Sequence, residues 1–394
     1  MDIRIDWPSR GHKFTEAEIS AVADVMRSNN TALTQGPKVQ IFEKKFAEYL
    51  GADRAFALMS AAHGLDITAM LMEVGPDDEI IIPAHTYCAS ALAYARRGAQ
   101  IRWADINPQS FTASADSIRK LINPKTKAIV IVHLYGLISP EIEEIVKLAK
   151  DSGIYLIEDC AQSLGAKWNG KHCGTFGDMG CYSFHSQKNL TTLGEGGMII
   201  VKDPTLYDKV SGLRLNGHAP FTNKPEYWLP AMVNVDEDIA GIWPIKSTMN
   251  EPQAAVGALV IERMDELTEQ RRERGFKIRE ALSDFKDLEF QAIHSREAHS
   301  HHLLPARCTS NKWHRDDLIR LLFNSYGVKA IIQFHPLNRY DLFKKRGYGN
   351  ADVPETDRFF DNMISFPFSV VISDEDFDYM IDSIRSAINE LNSK

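Results

Sequence analysis

Apolar positions recur along this chain in two alternating rhythms. Over residues 15–28, TEAEISAVADVMRS, they fall at helical spacing. Thr15, followed three residues later by Glu18, predicts a capping box at that helix start. Residues 39–50, VQIFEKKFAEYL, predict a second amphipathic helix that stops at Gly51. Short, continuously apolar runs then take over at 55–59, 79–83, 100–106, 128–134 and 154–159. Helix-like stretches separate them at 62–74, 90–98, 114–122 and 141–153. Runs apolar on both faces and joined by helices predict a mostly parallel sheet with helical crossovers. CYSF at 181–184 and GMIIV at 197–201 add two more strands.

The rhythm stops at residues 216–248, which hold Pro220, Pro225, Pro230, Pro244, Trp228 and Trp243. A long aperiodic segment inside a compact protein is usually functional or disordered, and the two tryptophans favour order. From about 252 a long helix is predicted, with Arg271 to Arg279 as a solvated face alternating with acids. A strand near 302–307, a helix near 314–325, a strand near 328–332 and a terminal helix at 374–391 complete the pattern. The reading is α/β: a large domain over 1–251 and a smaller α+β domain over 252–394.

Composition narrows the classes. The 394 residues suit two or three domains of roughly 100–200 residues each. With Lys plus Arg at 45 and Asp plus Glu at 53, the net charge of −8 argues against nucleic-acid binding and a polybasic membrane anchor. No apolar signal core opens the chain, and no run of about 18 apolar residues predicts a membrane span. The five cysteines, at 88, 160, 173, 181 and 308, form no CxxC pair, which suits reduced thiols in a cytoplasmic protein.

The chemistry concentrates in 154–197. A strand delivers Asp159 at its carboxyl end, where open α/β sheets place ligands. Lys188 follows in a polar loop between strands. This pairing suits pyridoxal phosphate, with a lysine for the Schiff base and an aspartate for the pyridinium nitrogen. It equally suits a surface lysine and a buried, paired aspartate, and spacing by itself does not choose. His294, His299, His301 and His302 have spacings that match no zinc pattern, so no metal is expected.

The words EDCAQSLGA and SFHSQKNLTTLGEGGM resemble the DegT/DnrJ/EryC1/StrS family of sugar aminotransferases. The likeness continues through GPKVQIFEKKFAEYLG, IIPAHTYCAS, VHLYG, MNEPQAAVG and HPL at 335–337, and so covers nearly the whole chain. It implies a fold-type-I transferase that uses pyridoxal 5′-phosphate. Carried over by position, Lys188 is the Schiff-base and proton-shuttling lysine and Asp159 the pyridinium partner. Gln162 matches the residue that bonds the ring hydroxyl, Ser183 the phosphate-binding serine, and Tyr87 the aromatic that stacks on the ring. Ser60, Ala61 and Ala62 open a helix where backbone N–H groups suit a dianion. The family usually has Ser-Gly-Thr there, so a threonine hydroxyl is missing. Lys246 stands where the family usually has an asparagine that reaches the cofactor phosphate of the partner subunit; a lysine can do so as a point charge.

The implied activity is transfer of an amino group from glutamate or glutamine to a keto sugar, nucleotide-linked, by a ping-pong cycle in a homodimer with shared active sites. A keto-sugar dehydratase is the alternative, but those relatives replace the lysine with histidine. A keto cyclitol or other non-nucleotide sugar is a second alternative. A non-catalytic, cofactor-binding regulator is a third, and an intact Lys188–Asp159–Gln162 set argues against it. The role of His185, two residues after Ser183, stays open between packing and substrate contact.

Overall fold

The architecture comes from a computed structural model that describes residues 3–29, 32–218 and 242–394. The helix Glu16–Arg27 begins as expected: Glu18 N donates to Thr15 Oγ1 at 3.3 Å and Thr15 N to a Glu18 carboxylate oxygen at 2.8 Å. The helix Pro37–Leu50 ends at Gly51, whose φ of 68° is the left-handed region that favours glycine. Its amino end is closed by Glu251, whose carboxylate accepts from the amides of Gly36, Lys38 and Val39 at 2.9–3.1 Å. An acid suits the positive end of a helix.

Among the described residues seven strands form the central sheet: β1 Ala55–Leu58, β2 Glu79–Pro83, β3 Gln100–Ala104, β4 Thr126–Val132, β5 Tyr155–Asp159, β8 Met179–Ser183 and β9 Gly197–Val201. A two-residue hairpin, β6 Lys167–Trp168 and β7 Lys171–His172, lies between β5 and β8 in sequence. The sheet order is β1-β9-β8-β5-β4-β2-β3, and β9 alone runs against the others. Alternate residues of β4 go to opposite cores: Ile129 and Ile131 pack with Phe42, Phe46 and Leu156, whereas Ala128 and Val130 pack with Leu65, Ile80 and Ile157. Burial on both faces is why these strands read as continuous apolar runs.

A second, antiparallel sheet, β10 Leu288–Phe290, β11 Leu304–Cys308 and β12 Met363–Phe366, packs with the helix Asp374–Ser393 around Phe366, Phe377 and Ile384. The partition expected at 251/252 does not coincide with the change of core. The helix Glu251–Val260 buries Ala254, Val256 and Ala258 with Phe42, and beyond this helix the first residue of the third core is Ile278. A Cβ on Gly257 would lie 2.6 Å from the Phe42 ring, so close helix contact fixes this turn in the first core. Ile5 belongs to the third core and bridges Val328.

Three other expectations are corrected. Residues 328–332 form no strand, only isolated bridges at Val328 and Ile331. The long helix from 252 divides into Glu251–Val260 and Met264–Ala281 about a 3₁₀ turn at Ile261–Arg263. The arginine run is not a solvated face: Arg271 is 1% exposed, and its guanidinium donates to the carbonyls of His301 and Gly11 at 3.1 and 2.6 Å. Arg272, Arg274 and Arg279 likewise donate to backbone carbonyls, of His299, Ser369 and Gln291 among others. Those irregular segments carry acceptors that no helix or sheet satisfies, and buried acceptors need donors. Of the aperiodic segment, residues 219–241, with Trp228, lie outside the described residues, while Trp243 is 86% exposed and joins none of the cores formed by the described residues.

Candidate active site

The carboxyl ends of β5 and β8 and the amino end of the helix Ala61–Leu71 meet at one cavity of about 470 Å³. Asp159 closes β5 and is 4% exposed. Its Oδ2 accepts from Ser90 Oγ at 2.7 Å and its Oδ1 from the Ala161 amide at 3.0 Å. Burial pushes the Asp159 carboxyl above its usual range, opposed by those two hydrogen bonds and by the charge of Lys188. No lysine, arginine or histidine forms an ion pair with it among the described residues. A buried carboxylate satisfied only by neutral donors has room for a cationic one.

Lys188 sits in the loop between β8 and β9, and residues 7–12 lie across that loop as a strap. Gly11 N donates to Ser186 O at 2.8 Å, Gln187 Nε2 to Pro8 O at 3.0 Å, and Thr191 N to His12 Nε2 at 3.3 Å. A Cβ on Gly11 would fall 1.7 Å from the Lys188 carbonyl oxygen, so only glycine admits this approach. Burial brings the Lys188 ammonium down to about 8, with Asp159 opposing the shift. A lysine near 8 offers a free amine close to neutral pH.

The helix Ala61–Leu71 is capped by Ser60, whose Oγ accepts from His63 N at 3.3 Å. Gly197 lets β9 reach this turn, since a Cβ there would lie 2.3 Å from the Ser60 carbonyl carbon. Ala61 and Ala62 thus bring first-turn N–H groups to the cavity wall, opposite Ser183 at the end of β8. Gln162 Oε1 accepts from Tyr135 N at 2.7 Å, which fixes the amide and leaves its Nε2 donors to the cavity. Tyr87 is 57% exposed and meets Phe334 edge-on, ring centroids 5.9 Å apart.

Ser60, Ala61, Ala62, Tyr87, Asp159, Gln162, Ser183 and Lys188 therefore line one cavity. Lys246 does not. It bridges Leu215 and lines a separate cleft with Arg54, Arg214 and His218. His185 lines the main cavity, its Nε2 4.0 Å from a Glu195 carboxylate oxygen. Sequence reasoning missed Ser90, His302 and the strap. Ser90 ends the word IIPAHTYCAS, so it was findable as a partner for the aspartate. The strap has no periodicity, and its role depends on a contact across more than 170 residues of sequence.

The donor set fits pyridoxal phosphate. First-turn amides and Ser183 suit the phosphate, Asp159 a protonated ring nitrogen, Gln162 Nε2 the ring oxygen, and the Lys188 amine a carbonyl carbon. The model for the DegT/DnrJ/EryC1/StrS aminotransferase family matches residues 12–385. The chain is 29% identical over 381 residues to the spore coat polysaccharide biosynthesis protein SpsC of Bacillus subtilis (strain 168), covering 94% of each. It is 30% identical over 275 residues, 68% of each, to the dTDP-4-dehydro-2,3,6-trideoxy-D-glucose 4-aminotransferase of Saccharopolyspora spinosa. Its fold is similar to the crystal structure of the aminotransferase TlmJ from Streptoalloteichus hindustanus, with a TM-score of 0.87 and 27% identity over 98% of this chain and 100% of that one.

Proposed function

We propose a reaction for this chain from an established premise: it belongs to the DegT/DnrJ/EryC1/StrS aminotransferase family and is a pyridoxal-phosphate-dependent sugar aminotransferase. The finer reading is that it moves an amino group from glutamate or glutamine to a carbonyl of a nucleotide-linked keto sugar. With glutamate, the products are the amino sugar and 2-oxoglutarate. What carries this reading is the convergence of Asp159 and Lys188 on one cavity that also holds a helix amino end. The named keto-sugar substrate of the S. spinosa relative supports the nucleotide link.

Bound pyridoxal phosphate supplies an electron sink for the carbanion left when the amino-bearing carbon loses its proton. The protein's residues do the rest. Asp159 would keep the ring nitrogen protonated, with Ser90 orienting the carboxylate. The amides of Ala61 and Ala62 and the Ser183 hydroxyl would hold the phosphate. Gln162 would donate to the ring hydroxyl and Tyr87 would cover the ring face. Lys188 would bind the cofactor covalently and, once free, take the proton from the amino-bearing carbon and deliver it to the carbon on the other side of the amino nitrogen. The strap at residues 7–12 would keep the Lys188 loop in place and shield it from water.

We further read the protein as a cytoplasmic homodimer. Among the described residues no helix is long and apolar enough to cross a membrane. Lys246, remote from the cavity of its own chain, would serve the phosphate site of the partner. The test is to incubate purified protein with glutamate and a panel of GDP-, dTDP- and UDP-linked keto sugars, and to follow product masses and 2-oxoglutarate. Amination of a nucleotide-linked sugar supports the reading; amination only of a free keto cyclitol or non-nucleotide sugar replaces it.

A further inference from the structure

We propose that Arg10, on the strap over the Lys188 loop, binds the α-carboxylate of the amino donor as a two-pronged ion pair and swings away from the site for the keto sugar. Arg10 lines the same cavity as Lys188 and Asp159. Its backbone is held on both sides. Ser369 Oγ donates to the Arg10 carbonyl at 3.1 Å, and the next carbonyl, of Gly11, accepts from the Arg271 guanidinium at 2.6 Å. Gly11 N donates at 2.8 Å to the carbonyl of Ser186, two residues before Lys188. The Arg10 side chain, by contrast, is exposed, and its guanidinium has no acid or carbonyl partner among the described residues. A fixed backbone with a free charged tip at the cavity wall is placed to meet an incoming anion.

The charges of the cavity say which anion. Among the described residues, Asp159 and Glu195 are its acids, and Lys188 and Arg10 its lysine and arginine. In the functional reading, on which this proposal rests, Lys188 is taken up by the cofactor and by proton transfer. Arg10 is then the group left to neutralise a substrate's charge. An amino acid carries its carboxylate one bond from the carbon that loses its proton, so that carboxylate must sit beside Lys188. The diphosphate of a nucleotide-linked sugar is separated from the keto carbon by the sugar ring and lies farther off. A strap that touches the Lys188 loop through Gly11 therefore suits the carboxylate. A guanidinium meets a carboxylate with two parallel N–H···O bonds.

A ping-pong site adds a second demand. The same place takes a carboxylate in one half-reaction and an uncharged sugar ring in the other. An arginine buried there would be left desolvated and unpaired in the second half-reaction, at a large cost. An exposed arginine on a flexible stem returns its charge to water instead. The exposure of Arg10 and its lack of an ion pair are what such alternation requires.

The test runs the two half-reactions separately on the full chain, with melting curves to confirm folding. In protein loaded with pyridoxal phosphate, Arg10→Gln should lower the single-turnover rate constant per molar donor roughly a hundredfold, the scale of a lost two-pronged charged contact. The loss should be alike for glutamate and for glutamine, which keeps the α-carboxylate and lacks the side-chain one. Arg10→Lys, which keeps the charge without the fork, should recover part of it. In protein loaded with pyridoxamine phosphate, the rate with the nucleotide-linked keto sugar that the panel identifies should change by no more than about threefold, because that half-reaction uses no carboxylate. Calorimetric titration of the pyridoxal phosphate form with glutarate, a dicarboxylate without an amine, should show a matching loss of affinity. A glutarate affinity that the substitution leaves unchanged overturns the proposal. So does a loss with glutamate alone, which assigns Arg10 to the side-chain carboxylate. A loss confined to the keto sugar assigns it to the diphosphate, and equal losses in both half-reactions leave it only a part of the strap; either result overturns the proposal. A wild type that reacts with neither donor, or aminates no keto sugar, overturns the functional reading first, and this proposal with it.

Discussion

Ser90 Oγ donates to Asp159 Oδ2 at 2.7 Å, a bond between side chains 69 residues apart in sequence. It joins the helix Ala89–Ala95 to the end of β5 and orients the carboxylate that faces the cavity. The bond also opposes the upward push of burial on Asp159, so the hydroxyl and the charged state of the acid belong together.

Ser90→Ala should therefore move the acidic limb of kcat/KM to higher pH. The sign follows directly: the lost bond favoured the carboxylate, so without it Asp159 holds its proton to higher pH. Turnover at neutral pH should fall roughly tenfold, the scale of one lost hydrogen bond to a charged group. Asp159→Asn should cost on the order of a hundredfold or more, because no anion then stabilises a ring N–H⁺. Steady-state rates across pH, with melting curves to confirm folding, test both. Asp159→Asn within about twofold of wild type would remove the assigned role.

Much of this arrangement is legible in the sequence where a local rule governs it. Thr15 and Glu18 cap as their spacing requires, and Asp159 closes a strand because 154–159 is an apolar run between turn signals. The arginines at 271–279 were not legible. Their alternation with acids looks like a solvated face, yet what fixes them is a set of backbone carbonyls from residues 11, 291, 299, 301 and 369. Only the tertiary fold brings those acceptors together. The same holds for residues 328–332, apolar enough for a strand but given only single bridges to Ile5 and Ser365.

Lys188 titrates near 8, depressed by burial. In protein loaded with pyridoxamine phosphate, the single-turnover rate with an active keto sugar should rise with pH and level off above about 8. The free amine is the proton acceptor, and it forms as pH passes that value. Borohydride treatment of protein loaded with pyridoxal phosphate should fix the cofactor to one peptide, the one containing Lys188. A stable adduct on another lysine would transfer the catalytic role there.

Gly11→Ala should harm activity more than stability. The new Cβ would sit 1.7 Å from the Lys188 carbonyl oxygen, and backbone cannot yield as a side-chain tip can. The strap must lift, losing the Gly11–Ser186 bond and disturbing those that His12 accepts from Thr191 and Pro8 from Gln187. A destabilisation of roughly 1–3 kcal/mol is the usual scale for such overpacking. If the strap only packs, the melting temperature drops and kcat holds. If it positions Lys188, kcat falls at least tenfold in protein that is still folded, and increased solvent exchange at residues 184–192 accompanies the loss.

The position of Lys246 makes the last prediction the most demanding. Lys188 lines the main cavity, whereas Lys246 lines a separate cleft of the same chain with Arg54, Arg214 and His218. If Lys246 serves a phosphate in the partner's cavity, each site in the proposed dimer takes Lys188 from one chain and Lys246 from the other. A two-fold axis makes the two sites identical in wild type. Mixing Lys188→Ala chains with Lys246→Ala chains breaks that identity. In a mixed dimer one site carries both lesions and the other neither. Two preparations, each strongly impaired alone, should recover activity when subunits exchange, approaching a quarter of wild type if exchange is random and complete. If both lysines serve a site within one chain, every site keeps one lesion and mixing restores nothing. Native mass spectrometry reports whether mixed dimers formed; mixed dimers without recovery would take Lys246 out of the phosphate site.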